Sequence, residues 1–407
     1  MIASVDQDQT YLDCVAWLFA RFPAYQQIGA SAYKPGLERV ALLLDKLNLD
    51  PQLIPSIHIA GTNGKGSTAA YCASILTEKQ YKVGLFTSPH IYDFSERIRV
   101  NGTPISEGFV ISFCETVRRE LPDLDASFFE LTFAMALAYF QVQKCDYMVI
   151  ETGLGGRLDA TNVICPRLSI ITNISLDHQE FLGNTLEEIA TEKAGIIKKN
   201  IPVVIGETSE HTAQIFERKA QALMASLYFA EAFPIDPKFL IGVQGYAKQN
   251  LKNALVSLTL LGEELTPDLI SISLQNLFRN TGHFGRLELV QQQPKVLVDV
   301  SHNTAGIEAT LGIIENELTG KLYIIYGAAK DKNAAEILAL FPKEAFIAAC
   351  TFQNTRSKSK EDWQKLGIET IYDDVNIAKA TILQQMNPED LLWITGSFFL
   401  IADLEQE

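Results

Sequence analysis

Ile57-His58-Ile59-Ala60-Gly61-Thr62-Asn63-Gly64-Lys65-Gly66-Ser67-Thr68 joins an apolar run to a glycine-rich loop, and the stretch from Ser67 to Gln80 continues with helical character. The order is strand, phosphate loop, helix. Three glycines let backbone N–H groups close around oxyanions, and the helix start adds its positive dipole end. Lys65 supplies a point charge and Ser67 a hydroxyl suited to Mg²⁺. Gly61, Thr62, Asn63, Gly64, Lys65, Gly66, Ser67 and Thr68 therefore read as a nucleotide site, with ATP expected. The loop departs from the common P-loop, since Gly66 separates the lysine from the hydroxyl residue. A glycine-rich turn that binds nothing is the alternative, and the flanking strand and helix argue against it.

The chain has 407 residues, 47% hydrophobic and 20% charged, which is ordinary globular composition at a length where one core stops growing. Two domains are expected. Net charge is -15, from 34 basic and 49 acidic residues, which opposes a phosphate-backbone surface and makes nucleic acid an unsuitable partner. A small anionic substrate must then meet local positive charge. Six cysteines, at 14, 72, 114, 145, 165 and 350, lack C-x-x-C spacing and read as reduced core residues, which argues for the cytoplasm. The N-terminal MIASVDQDQTYLDC has no basic and apolar leader pattern, and no run of about 18 apolar residues occurs, so no membrane partner is expected.

Short β-branched runs alternate with helical patterns: strand 146–151, strand 168–174, helix 185–199, strand 202–206 and helix 210–224. This predicts an α/β fold with a P-loop-type, mostly parallel sheet. Thr185-Leu186-Glu187-Glu188 reads as a capping box. A second set follows: strand 295–300, helix 306–318, strand 322–326, helix 334–340, strand 345–350, helix 377–385 and strand 391–395. It predicts a smaller, Rossmann-like α/β domain, giving residues 1–288 as the ATP-binding domain and 289–407 as the C-terminal one. Between them, residues 286–294 read either as a hinge or as a hairpin.

Glu151 ends the strand 146–151 and opens Thr152-Gly153-Leu154-Gly155-Gly156-Arg157-Leu158-Asp159. Ligands of open α/β sheets gather at such carboxyl ends, and an acidic side chain there suits Mg²⁺. A loop with a solvated carboxylate is the alternative. The strand 168–174 likewise runs into Ser175-Leu176-Asp177-His178-Gln179, where Asp177 and His178 could hold a second metal ion. A lone His after a strand is more often a turn residue bonded to backbone. With Ser67 and Glu151, the pair suggests metals bridging phosphate and substrate.

Taken together, these residues resemble folylpolyglutamate synthase and dihydrofolate synthase, members of the Mur ligase superfamily. Besides the loop, the resemblance rests on Thr87-Ser88-Pro89-His90, Glu96-Arg97-Ile98-Arg99-Val100-Asn101-Gly102, Phe129-Glu130-Leu131-Thr132, residues 151–162 and Leu176-Asp177-His178-Gln179-Glu180-Phe181-Leu182-Gly183. It continues through Glu192-Lys193-Ala194-Gly195-Ile196-Ile197-Lys198, Asn253-Ala254, Gly285-Arg286, Asp299 with His302-Asn303, Asp331-Lys332 and Thr395-Gly396-Ser397.

The resemblance implies a catalytic set of Lys65, Lys193 and His178. Lys65 would contact the ATP phosphates, Ser67 and Glu151 would hold one Mg²⁺, and His178 a second together with Lys193, carbamylated in this family. Without the resemblance Lys193 reads as an ordinary helix-face lysine. Asp299 and His302 would contact the ribose or base, with Asn253 and Arg286 also reaching the nucleotide; on pattern alone the Asp299–His302 pair reads equally well as a loop cap. Thr304 and Ser301 stand where the family commonly has proline and alanine, and His283-Phe284 also departs from its pattern.

For the acceptor substrate, Ser88, Pro89, His90, Arg97, Phe128 and Asp159 are the residues expected, since a pterin needs a flat apolar slot and a glutamate needs a cation. Arg97 and Arg99 read equally as alternating strand residues facing solvent. The implied reaction joins L-glutamate to dihydropteroate, or to the γ-carboxylate of folates, through an acyl phosphate made with ATP and two Mg²⁺, in a monomeric protein. Another Mur-superfamily amino-acid ligase and a non-ligase ATP-binding regulatory module are the alternatives.

Overall fold

In a computed structural model of the chain, residues 10–22 and 34–405 are described, so most of the N-terminal stretch read for a leader lies outside them. The chain divides into two compact units, Met1–Val243 with Ala247–His283, and Gln244–Tyr246 with Phe284–Glu407.

Alternating and continuous apolar runs build the first unit around an eight-stranded sheet. Its strands are β1 (Ser56–Ala60), β2 (Val83–Phe86), β3 (Ile98–Val100), β4 (Thr103–Pro104), β5 (Tyr147–Glu151), β6 (Leu168–Ile171), β7 (Val203–Ile205) and β8 (Leu227–Phe229), in the order β4-β3-β2-β5-β1-β6-β7-β8. Only β3 runs against the other strands, pairing antiparallel with both β2 and β4. Every residue of β1, β2 and β6 is buried, as expected of parallel strands covered on both faces. The period of two sorts β5: Met148 and Ile150 join a core with the Phe128–Gln143 helix, whereas Val149 joins another with Lys65–Glu78 and Gly245–Leu260.

Register then sets the site. Ile59 of the central strand pairs with Glu151, Ala60 with Ile171, and Phe86 with Ile150. The loops beginning at Thr87, Thr152, Gly61 and Thr172 thus leave the neighbouring strands β2, β5, β1 and β6 at their carboxyl ends.

The second unit has β9 (Glu288–Gln292), β10 (Lys295–Asp299), β11 (Leu322–Tyr326), β12 (Phe346–Cys350), β13 (Ile371–Tyr372) and β14 (Leu391–Thr395), in the order β13-β12-β11-β14-β10-β9. All are parallel except β9, which folds back on β10, so residues 286–294 belong to a hairpin rather than a hinge.

Three expectations need correction. The helix read as 185–199 begins on the predicted capping box but ends at Lys193, followed by a short 3₁₀ turn, Ala194–Ile196. The carbonyls that would continue it are taken from outside: Glu192 O by the Arg157 N–H, Gly195 O by the Asn162 amide and Ile196 O by the Ser169 hydroxyl. Strand β6 stops at Ile171 rather than 174, because Thr172 and Asn173 turn to hold the phosphate loop. Cys165 is exposed; the other five cysteines are buried, and all six are free thiols.

Candidate active site

The Lys65–Glu78 helix starts from Gly64, whose φ of +79° places it in the left-handed region that glycine adopts without strain. A Cβ there would lie 2.2 Å from Asn250 Oδ1, and one on Gly61 would lie 1.8 Å from Thr172 Oγ1. The end of β6 completes the loop: Thr62 N–H donates to Asn173 O (3.0 Å), Asn63 N–H to Asn173 Oδ1 (2.9 Å), and Thr172 Oγ1 to Asn63 O (2.6 Å). Thr62 Oγ1 donates to Ser175 O at 3.1 Å. The loop is thereby fixed before any ligand arrives.

Lys65 Nζ donates to Gly61 O and Thr62 O, and Lys193 Nζ donates to Gly61 O at 2.8 Å. Lys193 is 3% exposed, and burial, then the nearby Lys65 cation, pushes its amine down to about 7 against the pull of Asp177 and Asp159. It is not the ordinary helix-face lysine that the sequence pattern allows.

Glu151 is buried at the end of β5, its carboxylate 3.5 Å from the place a Cβ on Gly66 would occupy, and it accepts from Ser88 N–H at 3.0 Å. Loop, carboxylate and Ser88 therefore meet. His178 sits in the left-handed region at φ +49°, its N–H donating to Asp177 Oδ1 and its ring 3.9 Å from Asp177 Oδ2. Among the described residues no three His, Cys, Asp or Glu side chains gather as a metal cluster. The set Ser67, Glu151, His178 and Lys193 is of another kind, a hydroxyl, a carboxylate, an imidazole and a modifiable amine. Buried Thr68 Oγ1, Thr152 Oγ1 and Ser175 Oγ carry no hydrogen-bond partner, which leaves polar capacity around the loop for a metal-bound nucleotide.

Asp159 is fully enclosed: Oδ2 accepts from Gly153 and Leu154 N–H, and Oδ1 from Thr161 N–H and Oγ1. Burial raises its pKa even against those four donors. Its visible task is to shape the turn after Glu151. Asn253 is likewise buried, its amide against Gly206 and accepting from Gln249 Nε2. Arg97 is 3% exposed on the 3₁₀ turn Phe94–Arg97, so it does not face solvent; Arg99 lies on β3 and donates to Gly102 O. Phe128 stacks on Phe19, ring centroids 4.5 Å apart, and meets Phe94 edge-on at 5.9 Å.

In the second unit, Asp299 is buried at the end of β10 and accepts from Tyr246 OH, Leu287 N–H, Ser301 N–H and Thr310 Oγ1. Arg286 lies over the Phe398 ring at 5.1 Å, and His302 packs on the same ring at 5.8 Å. The sequence reading missed Asn250, Thr172, Tyr246, Phe398 and Phe19. Asn250, three residues before Asn253 on one helix, carried a signal of spacing; the aromatic residues carried none.

Residues 59–233 match the Mur ligase middle domain and 285–398 the Mur ligase glutamate ligase domain. The dihydrofolate synthase/folylpolyglutamate synthase of Bacillus subtilis (strain 168) is 33% identical over 97% of this chain and 98% of its own length. The chain belongs to the dihydrofolate synthase/folylpolyglutamate synthase family. Among solved structures, E. coli FolC in complex with DHPP and ADP superposes with a TM-score of 0.83 at 27% identity, over 97% of this chain and 96% of that one. A bifunctional folylpolyglutamate synthase/dihydrofolate synthase with Mn, AMPPNP and L-glutamate bound gives 0.82 at 27%, over 97% and 98%. Within this family of Mur-type ligases the chain is an ATP-dependent enzyme, and the mixed α/β architecture is the family's. No helix among the described residues is long and apolar enough to cross a membrane.

Proposed function

We propose that the protein joins L-glutamate to dihydropteroate and also extends folates at the γ-carboxylate, transferring the ATP γ-phosphoryl group to the acceptor carboxylate before the glutamate amine displaces phosphate. The observation that carries this is the meeting of the preformed Gly61–Ser67 loop, Glu151 and the Ser88–His90 segment on adjacent strand ends. Phosphate and acceptor carboxylate can be held together there without rearranging the sheet.

Lys65 and the loop amides bind the phosphates. Ser67 and Glu151 would hold one Mg²⁺, and His178 with a carbamylated Lys193 a second; a divalent ion there supplies charge neutralisation for the transferring phosphoryl group. Lys193 suits carbamylation because burial favours the neutral amine, the form that attacks carbon dioxide. The flat body of the acceptor is assigned to Ser88, Pro89, His90 and Phe128, with Asp159 shaping the neighbouring turn. Asp299 holds the Leu287 and Ser301 backbone beside Arg286 and His302; Arg286, Asp299, His302 and Asn253 are assigned to the nucleotide on the family resemblance. We take the enzyme to act as a monomer, and six free thiols favour the cytoplasm.

The test is ADP release from purified protein with dihydropteroate, tetrahydrofolate or neither, each with and without L-glutamate. Glutamate-dependent release with both acceptors is expected. Release with one alone limits the enzyme to that activity, and release with neither overturns the assignment.

A further inference from the structure

The loop before Arg97 is held from two sides. Glu96 accepts from the N–H groups of Ile91, Tyr92 and Asp93, while Asp93 accepts from Ser95 N–H and, at 2.7 Å, from Tyr11 OH. His90 is therefore carried on a braced backbone. Arg97 lies against it: Nε donates to His90 Nδ1 at 2.8 Å, and the guanidinium carbon is 5.3 Å from the Phe128 ring centroid.

Arginine has donors and no acceptor, so a 2.8 Å contact from Nε requires a lone pair on His90 Nδ1. The ring proton must then be on Nε2. Burial, then the Arg97 charge, lowers His90 to about 3, with Asp93 acting in the opposite sense, so the ring is neutral at working pH. Phe19 and Phe94 meet the imidazole edge-on at 6.3 and 6.4 Å, and no described residue accepts from Nε2.

We propose that Arg97 is a positioning residue for the acceptor substrate: its Nε–H hydrogen bond fixes His90 as an uncharged Nε2–H donor, which binds an uncharged ring or carbonyl acceptor of the pterin body. This rests on the function proposed above. It also gives Arg97 a task other than holding a substrate carboxylate, because the guanidinium is engaged by His90 and Phe128. A neutral donor loses far less on leaving water than a charged one, so it can select for the pterin without adding charge to a site assigned to phosphates.

The test has two arms. In ¹⁵N-histidine-labelled protein without ligands, with the resonance assigned through His90→Gln, His90 should show an unprotonated Nδ1 and a protonated Nε2; Arg97→Met should populate both tautomers. In steady-state kinetics, Arg97→Met and His90→Phe should each raise KM for dihydropteroate and for tetrahydrofolate about tenfold, as for one lost hydrogen bond, leaving KM for ATP unchanged. His90→Phe, at a partly exposed side chain, serves if Arg97→Met does not fold. A protonated Nδ1 in the parent protein overturns the proposal, and so does a rise confined to the glutamate-bearing acceptor or a change in KM for ATP alone. If the parent protein turns over neither acceptor, the functional reading fails while the tautomer arm still reports on the Arg97–His90 bond.

Discussion

The side-chain nitrogens of Lys65 and Lys193 donate to one oxygen, the carbonyl of Gly61, at 3.2 and 2.8 Å. One residue comes from the phosphate loop and the other from the end of a helix far along the chain. Burial and then the charge of Lys65 disfavour the ammonium form of Lys193, and an anionic phosphate or the conversion of that amine into a carbamate relieves the repulsion. Lys65→Ala is expected to lower kcat/KM for ATP by more than tenfold, since it removes the charge that phosphate meets in the loop. Steady-state ADP release checks this, and a smaller loss would place the phosphates elsewhere.

Lys193→Ala should be inactive and partly restored by a short carboxylic acid added in solution, which replaces the carbamate oxygens. The parent enzyme should lose activity in carbon dioxide-free buffer and regain it when bicarbonate is returned. Activity indifferent to both additions would show that the unmodified amine is the working form.

Glu151→Gln keeps the shape of the side chain and an acceptor for Ser88 N–H but removes the charge a metal needs. The Mg²⁺ concentration for half-maximal ADP release should rise about tenfold or more. An unchanged Mg²⁺ titration would remove Glu151 from the metal shell.

Asp159→Asn places an amide N–H₂ where one of the two carboxylate oxygens now accepts two donors. Leaving those donors unmatched in a buried site costs about 1–3 kcal/mol, and the Gly153–Leu154 turn should loosen with it. Urea denaturation should show the loss, accompanied by weaker acceptor binding. Parent-like stability would mean that the turn holds without the carboxylate.

His58 links stability to pH. Its Nε2 lies 2.8 Å from Thr161 Oγ1, whose own proton is given to Asp159, so Nε2 carries the imidazole proton and buried Nδ1 has no partner. Burial, then Lys198, lowers its pKa to about 3, below the ordinary 6.5 of the unfolded chain. Between those values the unfolded state binds more protons, so stability falls as pH drops below 6.5, by about 2 kcal/mol at pH 5 from this group. His58→Gln should flatten that part of the stability–pH curve measured by urea denaturation. An equal slope in both proteins would place the acid sensitivity elsewhere.

Much of the first unit could be read from the chain because its parallel strands are short, continuous apolar runs ended by polar residues. Glu151 and Gly61 each follow such a run, and strand ends in a parallel sheet are where loops meet. The ends of elements were less legible: the Leu186–Lys193 helix stops where Arg157, Asn162 and Ser169 capture the carbonyls of Glu192, Gly195 and Ile196, and these partners come from other segments of the chain.

Local pattern alone determined the α/β alternation, the phosphate loop with Lys65, the capping box at Thr185 and the carboxylate at the end of β5, since each depends on neighbours within a few residues. Only tertiary structure decided that Lys193 is buried beside Lys65, that Asn250 closes over Gly64, that Arg97 turns inward onto His90, and that Asp159 faces four internal donors. For Lys193 and Asn250 the partners lie more than a hundred residues away, and a lysine or arginine read from sequence carries no sign of whether water surrounds it.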